Sequence, residues 1–121
     1  MGAHVALVGA RNASAAAVKL ARDFAAALAE AGFTVVSGLA RGIDGAAHEG
    51  AFPQTIGVIA SGIDIAYPPQ HADLQERIAN EGLLIAEQPP GTEPRGRHFP
   101  SRNRIIAGLA SGTLVVEAAP Q

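Results

Sequence analysis

Five short apolar runs, separated by helix-compatible stretches, constrain this chain more than any other feature. They are His4 to Val8, Thr34 to Ser37, Thr55 to Ala60, Leu83 to Ala86 and Thr113 to Val116. These runs are apolar almost throughout and do not alternate with polar residues. Strands that read this way are buried on both faces, as in a parallel sheet covered by helices. Between them, Ser14 can cap a helix reaching about Ala31, with Ala17, Ala21, Phe24 and Leu28 on one face and Gly32 as the stop. Further helices are predicted over Ile43 to Ala51, over His71 to Asn80 with Gly82 as the stop, and over Pro100 to Ala110. Pro suits the first turn of that last helix. The expectation is a three-layer α/β domain with a mostly parallel sheet, right-handed crossovers and the doubly wound strand order 3-2-1-4-5.

The chain has 121 residues, which suits one domain over 1–121. Apolar residues make up 48%, but there are only four Phe, one Tyr and no Trp, so the core must be built from Ala, Val, Leu and Ile. No apolar stretch approaches the ~20 residues of a membrane span. The N-terminus lacks the basic region and apolar run of a signal peptide. The absence of Cys excludes disulfides and thiolate metal sites. A soluble, cytoplasmic protein is expected.

In an open parallel sheet, ligands bind beyond the carboxyl ends of the strands. The loops that should gather there are Gly9-Ala10-Arg11-Asn12, Ser37-Gly38-Leu39-Ala40-Arg41-Gly42, Ser61-Gly62-Ile63-Asp64 and Glu87-Gln88-Pro89. Glycine turns ahead of helix N-termini suit an anion. Gly38, Gly42 and Gly45 serve either such a site or tight turns and close helix–sheet packing. His48, four residues after Asp44, reads as a structural pair with it or as an acid–base pair. Asp64 and Tyr67 read as turn residues. Glu87 and Glu117 close apolar strands, and an Arg could partner them there. Gly9-Ala10-Arg11 lacks the further glycines of a dinucleotide fingerprint, and GxxxxGK[ST] is absent. No nucleophile–base set and no His–carboxylate metal spacing is visible. Neither catalysis, a cofactor nor a metal is expected.

Net charge is −2, yet Arg95, Arg97, Arg102 and Arg104 fall within ten residues that hold no acid. The segment runs Arg95-Gly96-Arg97-His98-Phe99-Pro100-Ser101-Arg102-Asn103-Arg104. It closes the longest irregular stretch of the chain, Glu87 to Phe99. Arg grips phosphate with a planar fork, Phe can stack on a base and Asn can meet a base edge. Single-stranded nucleic acid is the ligand that these parts fit. The competing reading has Phe99 anchoring the loop in the core with solvated Arg side chains.

Several segments together resemble the DNA-processing protein A (DprA/Smf) family. They are Val8-Gly9-Ala10-Arg11-Asn12; Val35-Val36-Ser37-Gly38-Leu39-Ala40-Arg41-Gly42-Ile43-Asp44 with Ala47-His48; Tyr67-Pro68; Phe99-Pro100-Ser101-Arg102-Asn103-Arg104-Ile105-Ile106-Ala107-Gly108-Leu109; and Leu114-Val115-Val116-Glu117-Ala118. The resemblance implies a Rossmann-like domain that binds single-stranded DNA, protects incoming DNA in natural transformation and assists loading of RecA recombinase. It implies DNA contacts at Gly9, Ala10, Arg11, Ser37 and Gly38, and at Phe99, Arg102, Asn103 and Arg104, with Arg95 and Arg97 as further positive charge. The family's domain continues past Glu117-Ala118, so the C-terminal part of the family domain is expected to be absent; the resemblance implies RecA recombinase and a second copy of the chain, as a homodimer, as partners. The alternative function is that of a related Rossmann-like nucleotide-binding protein or nucleoside-monophosphate N-glycosidic hydrolase, of whose loop Pro90-Gly91-Thr92-Glu93 is an echo.

Overall fold

The computed structural model describes residues 3–9, 13–39, 42–67, 69–96 and 98–116, the side chains of 99–101 and 113–116 excepted. Five strands form one sheet: β1 (His4–Gly9), β2 (Thr34–Ser37), β3 (Thr55–Ile59), β4 (Leu83–Ala86) and β5 (Gly112–Val116). Four helices connect them in turn: α1 (Ala15–Glu30), α2 (Ile43–Ala51), α3 (Ala72–Glu81) after a 3-10 turn at Pro69–His71, and α4 (His98–Leu109). Every strand pair is parallel. The α/β class, the Rossmann-like architecture and all nine regular elements agree with the sequence reading.

The strand order is β4-β3-β2-β1-β5, not 3-2-1-4-5. The chain steps in one direction through four strands and reverses only after the fourth. Right-handed crossovers then put α1, α2 and α3 on one face and α4 alone on the other. Alternation along the strands serves both faces. Leu7 and Val35 pack with the Ala-rich stripes of α1 and α2. Ala6, Val36, Ile56 and Val58 pack under Ile106 of α4. The long irregular stretch therefore has a topological cause, because it leads into the one connection that runs back across the whole sheet.

One boundary and one face also differ from expectation. Helix α4 begins at His98, which leaves Pro100 in its first turn, where a missing N–H costs nothing. The face of α1 predicted to hold Phe24 is buried instead through Ala17, Ala21 and Ala25, and Phe24 is 43% exposed. The reason is the closeness of α2. A Cβ at Gly50 would collide with the Arg22 carbonyl, and it would lie 3.1 Å from the Ala25 Cβ. Only the smallest side chains fit between these two helices.

Candidate nucleic-acid interface

The carboxyl edge of the sheet is organised around Gly38, the first residue after β2. Two buried charged groups fill the space that a side chain would take there. The Arg102 guanidinium and the Asp44 carboxylate both press against it, with Arg102 Cζ and Asp44 Oδ2 each 2.8 Å from the place of a Cβ. Glycine is thus required at this point by close approach. Arg102 is 8% exposed and Asp44 7% exposed. Arg102 Nη1 donates to the Val58 carbonyl of β3 at 3.1 Å, and Nε donates to Asn103 Oδ1 at 2.8 Å.

The turn itself is held from inside by histidines. His48 Nε2 lies 2.6 Å from the Gly38 carbonyl, and Nδ1 lies 2.5 Å from Thr55 Oγ1. A carbonyl can only accept, so Nε2 carries the proton and Nδ1 accepts from the Thr55 hydroxyl. Burial pushes the His48 pKa down from 6.5 to about 4, against the raising effect of its bond to Gly38. His48 is therefore neutral at pH 7, as this tautomer requires. It makes no bond to Asp44, so the pair read from the sequence does not form. The next carbonyl, that of Leu39, accepts from His71 Nδ1 at 2.8 Å. Ser37 is fully buried and donates its hydroxyl to the Leu7 carbonyl of β1 at 2.6 Å. The sequence reading names neither His71 nor Thr55 as a site residue, because both reach this turn only through the fold.

A second clamp holds the long loop ahead of α4. Gly62 N donates to the Thr92 carbonyl at 2.8 Å, and Gly91 N donates to Asp64 Oδ1 at 2.7 Å. The Pro89 carbonyl lies 2.6 Å from where a Gly62 Cβ would be, so the two loops touch backbone to backbone. Asp64 is thus more than a turn residue, and Gly91 and Thr92 of the hydrolase echo are committed to this clamp.

Beyond the clamp, Arg95 is exposed and Asn103 faces solvent on α4. Arg104 is 68% exposed and pairs with Glu87 Oε2 at 2.5 Å, the Arg partner anticipated for the glutamate that follows β4. The basic segment is therefore split. Arg102 points into the protein, not to solvent, because it stands four residues before Ile106 on the buried face of α4. Gly9 is the last residue of β1 and pairs in register with Val116, the last residue of β5, two residues beyond the level at which β2 ends. Ala10, Arg11 and Arg97 lie outside the described residues, as does Glu117, and the Phe99 side chain is not described. Among the described residues no three His, Asp or Glu side chains gather as a metal site, and no helix is long and apolar enough to cross a membrane.

The model of one family, DNA recombination-mediator protein A, matches residues 2–121. The chain belongs to that family. Protein Smf of Synechocystis sp. is 46% identical over 120 residues, covering 97% of this chain and 30% of the relative. DNA processing protein DprA of Bacillus subtilis is 40% identical over 119 residues, covering 96% of this chain and 40% of the relative. The chain thus spans between about a third and two-fifths of the length of these DprA relatives. Among solved structures, DNA processing protein A from Streptococcus pneumoniae superposes with a TM-score of 0.92 at 43% identity, over 98% of this chain and 43% of that one. The DNA processing protein A of Helicobacter pylori, whose structure addresses its single-stranded DNA binding mode, gives a TM-score of 0.92 at 32% identity, over 98% of this chain and 55% of that one.

Proposed function

We propose that this DprA-family chain binds single-stranded DNA along the carboxyl edge of its sheet and catalyses no reaction there. What carries the reading is the meeting of two segments. Helix α4 reaches across the sheet so that Arg102 packs on Gly38, which gives the basic segment and the glycine turn a common edge. Arg95 and Arg104 stand exposed in that segment to meet phosphate, and Asn103 to meet a base edge. Arg102 serves as a positioning residue under the turn. Gly9, Ala10, Arg11, Arg97 and Phe99 complete the surface by resemblance to the family. The likeness to the Helicobacter pylori protein supports the choice of single-stranded DNA as ligand. Protection of incoming DNA, RecA loading and self-association are proposed on the resemblance alone; a cytoplasmic location and a single-domain organisation are proposed from composition and length.

The test is fluorescence anisotropy with a labelled oligothymidylate at two salt concentrations. Binding should weaken with salt, log K falling by about 0.7 per phosphate neutralised. The double replacement of Arg95 and Arg104 by Ala should lower both affinity and slope. No binding by the unaltered chain, or a salt-independent affinity, overturns the proposal.

A further inference from the structure

We propose that Tyr67 is a stacking platform for a base of the bound strand; this rests on the function proposed above. Arginines answer the phosphates of a strand, but its bases stay in water unless a flat apolar side chain receives them. Two aromatic side chains stand exposed among the described residues. Phe24 lies past the middle of α1, a helix that runs away from the carboxyl edge. Tyr67, 41% exposed, lies on the loop that leaves β3 at that edge, with Ile63 exposed on the same loop.

A single exposed apolar side chain is ordinary. What sets Tyr67 apart is the loop beneath it. The Ile65 carbonyl accepts from two buried side chains, Ser61 Oγ at 3.1 Å and Gln75 Nε2 at 3.0 Å. Ile65 N donates to the Gly62 carbonyl at 3.0 Å. Gly62 and Asp64 are tied to Thr92 and Gly91 of the long loop ahead of α4. Four residues past Tyr67, His71 Nδ1 is bonded to the Leu39 carbonyl of the glycine turn. Tyr67 thus stands between an anchor on the long loop and an anchor on the glycine turn, the two segments that border the proposed DNA edge. Its backbone is fixed before the ligand arrives, so little ordering is left to oppose stacking. A turn by itself does not call for a large ring. The bonds that close this one run through Ser61, Gly62, Asp64 and Ile65.

Tyr67 is the one tyrosine of the chain, and there is no tryptophan, so intrinsic fluorescence reports this ring. Unlabelled oligothymidylate should quench that emission, after correction for its own absorbance. An abasic strand of equal length, which carries phosphates without bases, should leave it unchanged. Tyr67→Ala should weaken oligothymidylate binding about fivefold or more. Tyr67→Phe, which keeps a ring, should recover most of that loss. Three results each overturn the inference and leave the parent reading standing: unquenched emission at saturation, equal quenching by the abasic strand, or a Tyr67→Ala variant that binds as tightly as the unaltered chain. Absence of binding by the unaltered chain overturns both. Should Tyr67→Ala fail to fold, the two titrations of the unaltered chain decide the matter.

Discussion

Two loops share the carboxyl edge of this sheet, and they are built in opposite ways. The turn after β2 is fixed from below by buried groups: His48 and His71 hold consecutive carbonyls, and Arg102 and Asp44 close on Gly38. The loop after β4 is fixed from above by contacts open to water: the Asp64–Gly91 bond and the Arg104–Glu87 ion pair. Buried polar contacts lose heavily when one partner is removed, because the other is left without water. Exposed ones lose little. The edge therefore pairs a rigid half with an adjustable half, an arrangement suited to gripping a flexible strand against a fixed wall.

The rigid half is broken most severely at Gly38. A methyl group there must displace both the Arg102 guanidinium, whose Cζ lies 2.8 Å away, and the Asp44 carboxylate, whose Oδ2 lies 2.8 Å away, and both groups are buried. Gly38→Ala is expected to lose about 3 kcal/mol of stability, on the scale of severe overpacking. That corresponds to a fall on the order of 10 °C in the thermal midpoint. A midpoint unchanged within a degree or two would mean that the turn is less tightly held than the contacts indicate.

Acid should loosen the same turn through His48. Its pKa is 6.5 when exposed in the unfolded chain and about 4 when folded. The unfolded state takes up the proton first, so the stabilisation is complete above pH 6.5 and is lost as pH falls from there to about 4. The loss amounts to about 3 kcal/mol over that window. Urea unfolding at stepped pH measures it, and His48→Gln should flatten this part of the profile. An equal slope in the variant would assign the acid sensitivity to other groups.

These two halves were unequally legible from residues alone. The strands announced themselves because runs such as Val35-Val36 and Ile56 to Ile59 are apolar on both faces. Their lateral order did not, since periodicity reports which face is buried and nothing about neighbours. The length of the Glu87–Phe99 stretch was the one sign of a crossover at that point, and it fits a functional loop equally well. Arg102 was read as a surface contact because a basic cluster invites that reading. The four-residue spacing from His98 to Arg102 to Ile106 holds the opposite information, since it continues an apolar face. His48 was noticed but given the wrong partner: Asp44 is near in sequence, whereas Thr55 and Gly38 are brought to the ring only by the pairing of β2 with β3.

The adjustable half responds on a smaller scale. Asp64→Ala removes the acceptor for the Gly91 N–H while leaving that group in reach of water. Stability should fall by no more than about 1 kcal/mol. Amide exchange at Gly91 should quicken severalfold or more, with exchange in β2 and β3 unchanged. If β2 exchanges faster as well, the two loops are mechanically coupled and the contrast between them fails.

The smallest effect, and the sharpest on function, concerns Glu87. Its carboxylate occupies the Arg104 guanidinium, and the two side chains are 31% and 68% exposed. A pair this open to water contributes little to stability, so a DNA phosphate can replace the carboxylate at small cost. On the proposed function, Glu87 takes the place of a phosphate until the strand arrives and reduces the charge that the strand would encounter. Glu87→Gln should leave the unfolding midpoint within a degree or two and raise oligothymidylate affinity about two- to fivefold. It should also steepen the salt dependence, because Arg104 then contributes its full charge to the phosphate count. In the Arg104→Ala background the same replacement should change affinity little, since the competition it relieves no longer exists. An equal gain in both backgrounds would make Glu87 a source of general repulsion. The adjustable half would then owe its character to net charge and not to a specific exchange of partners.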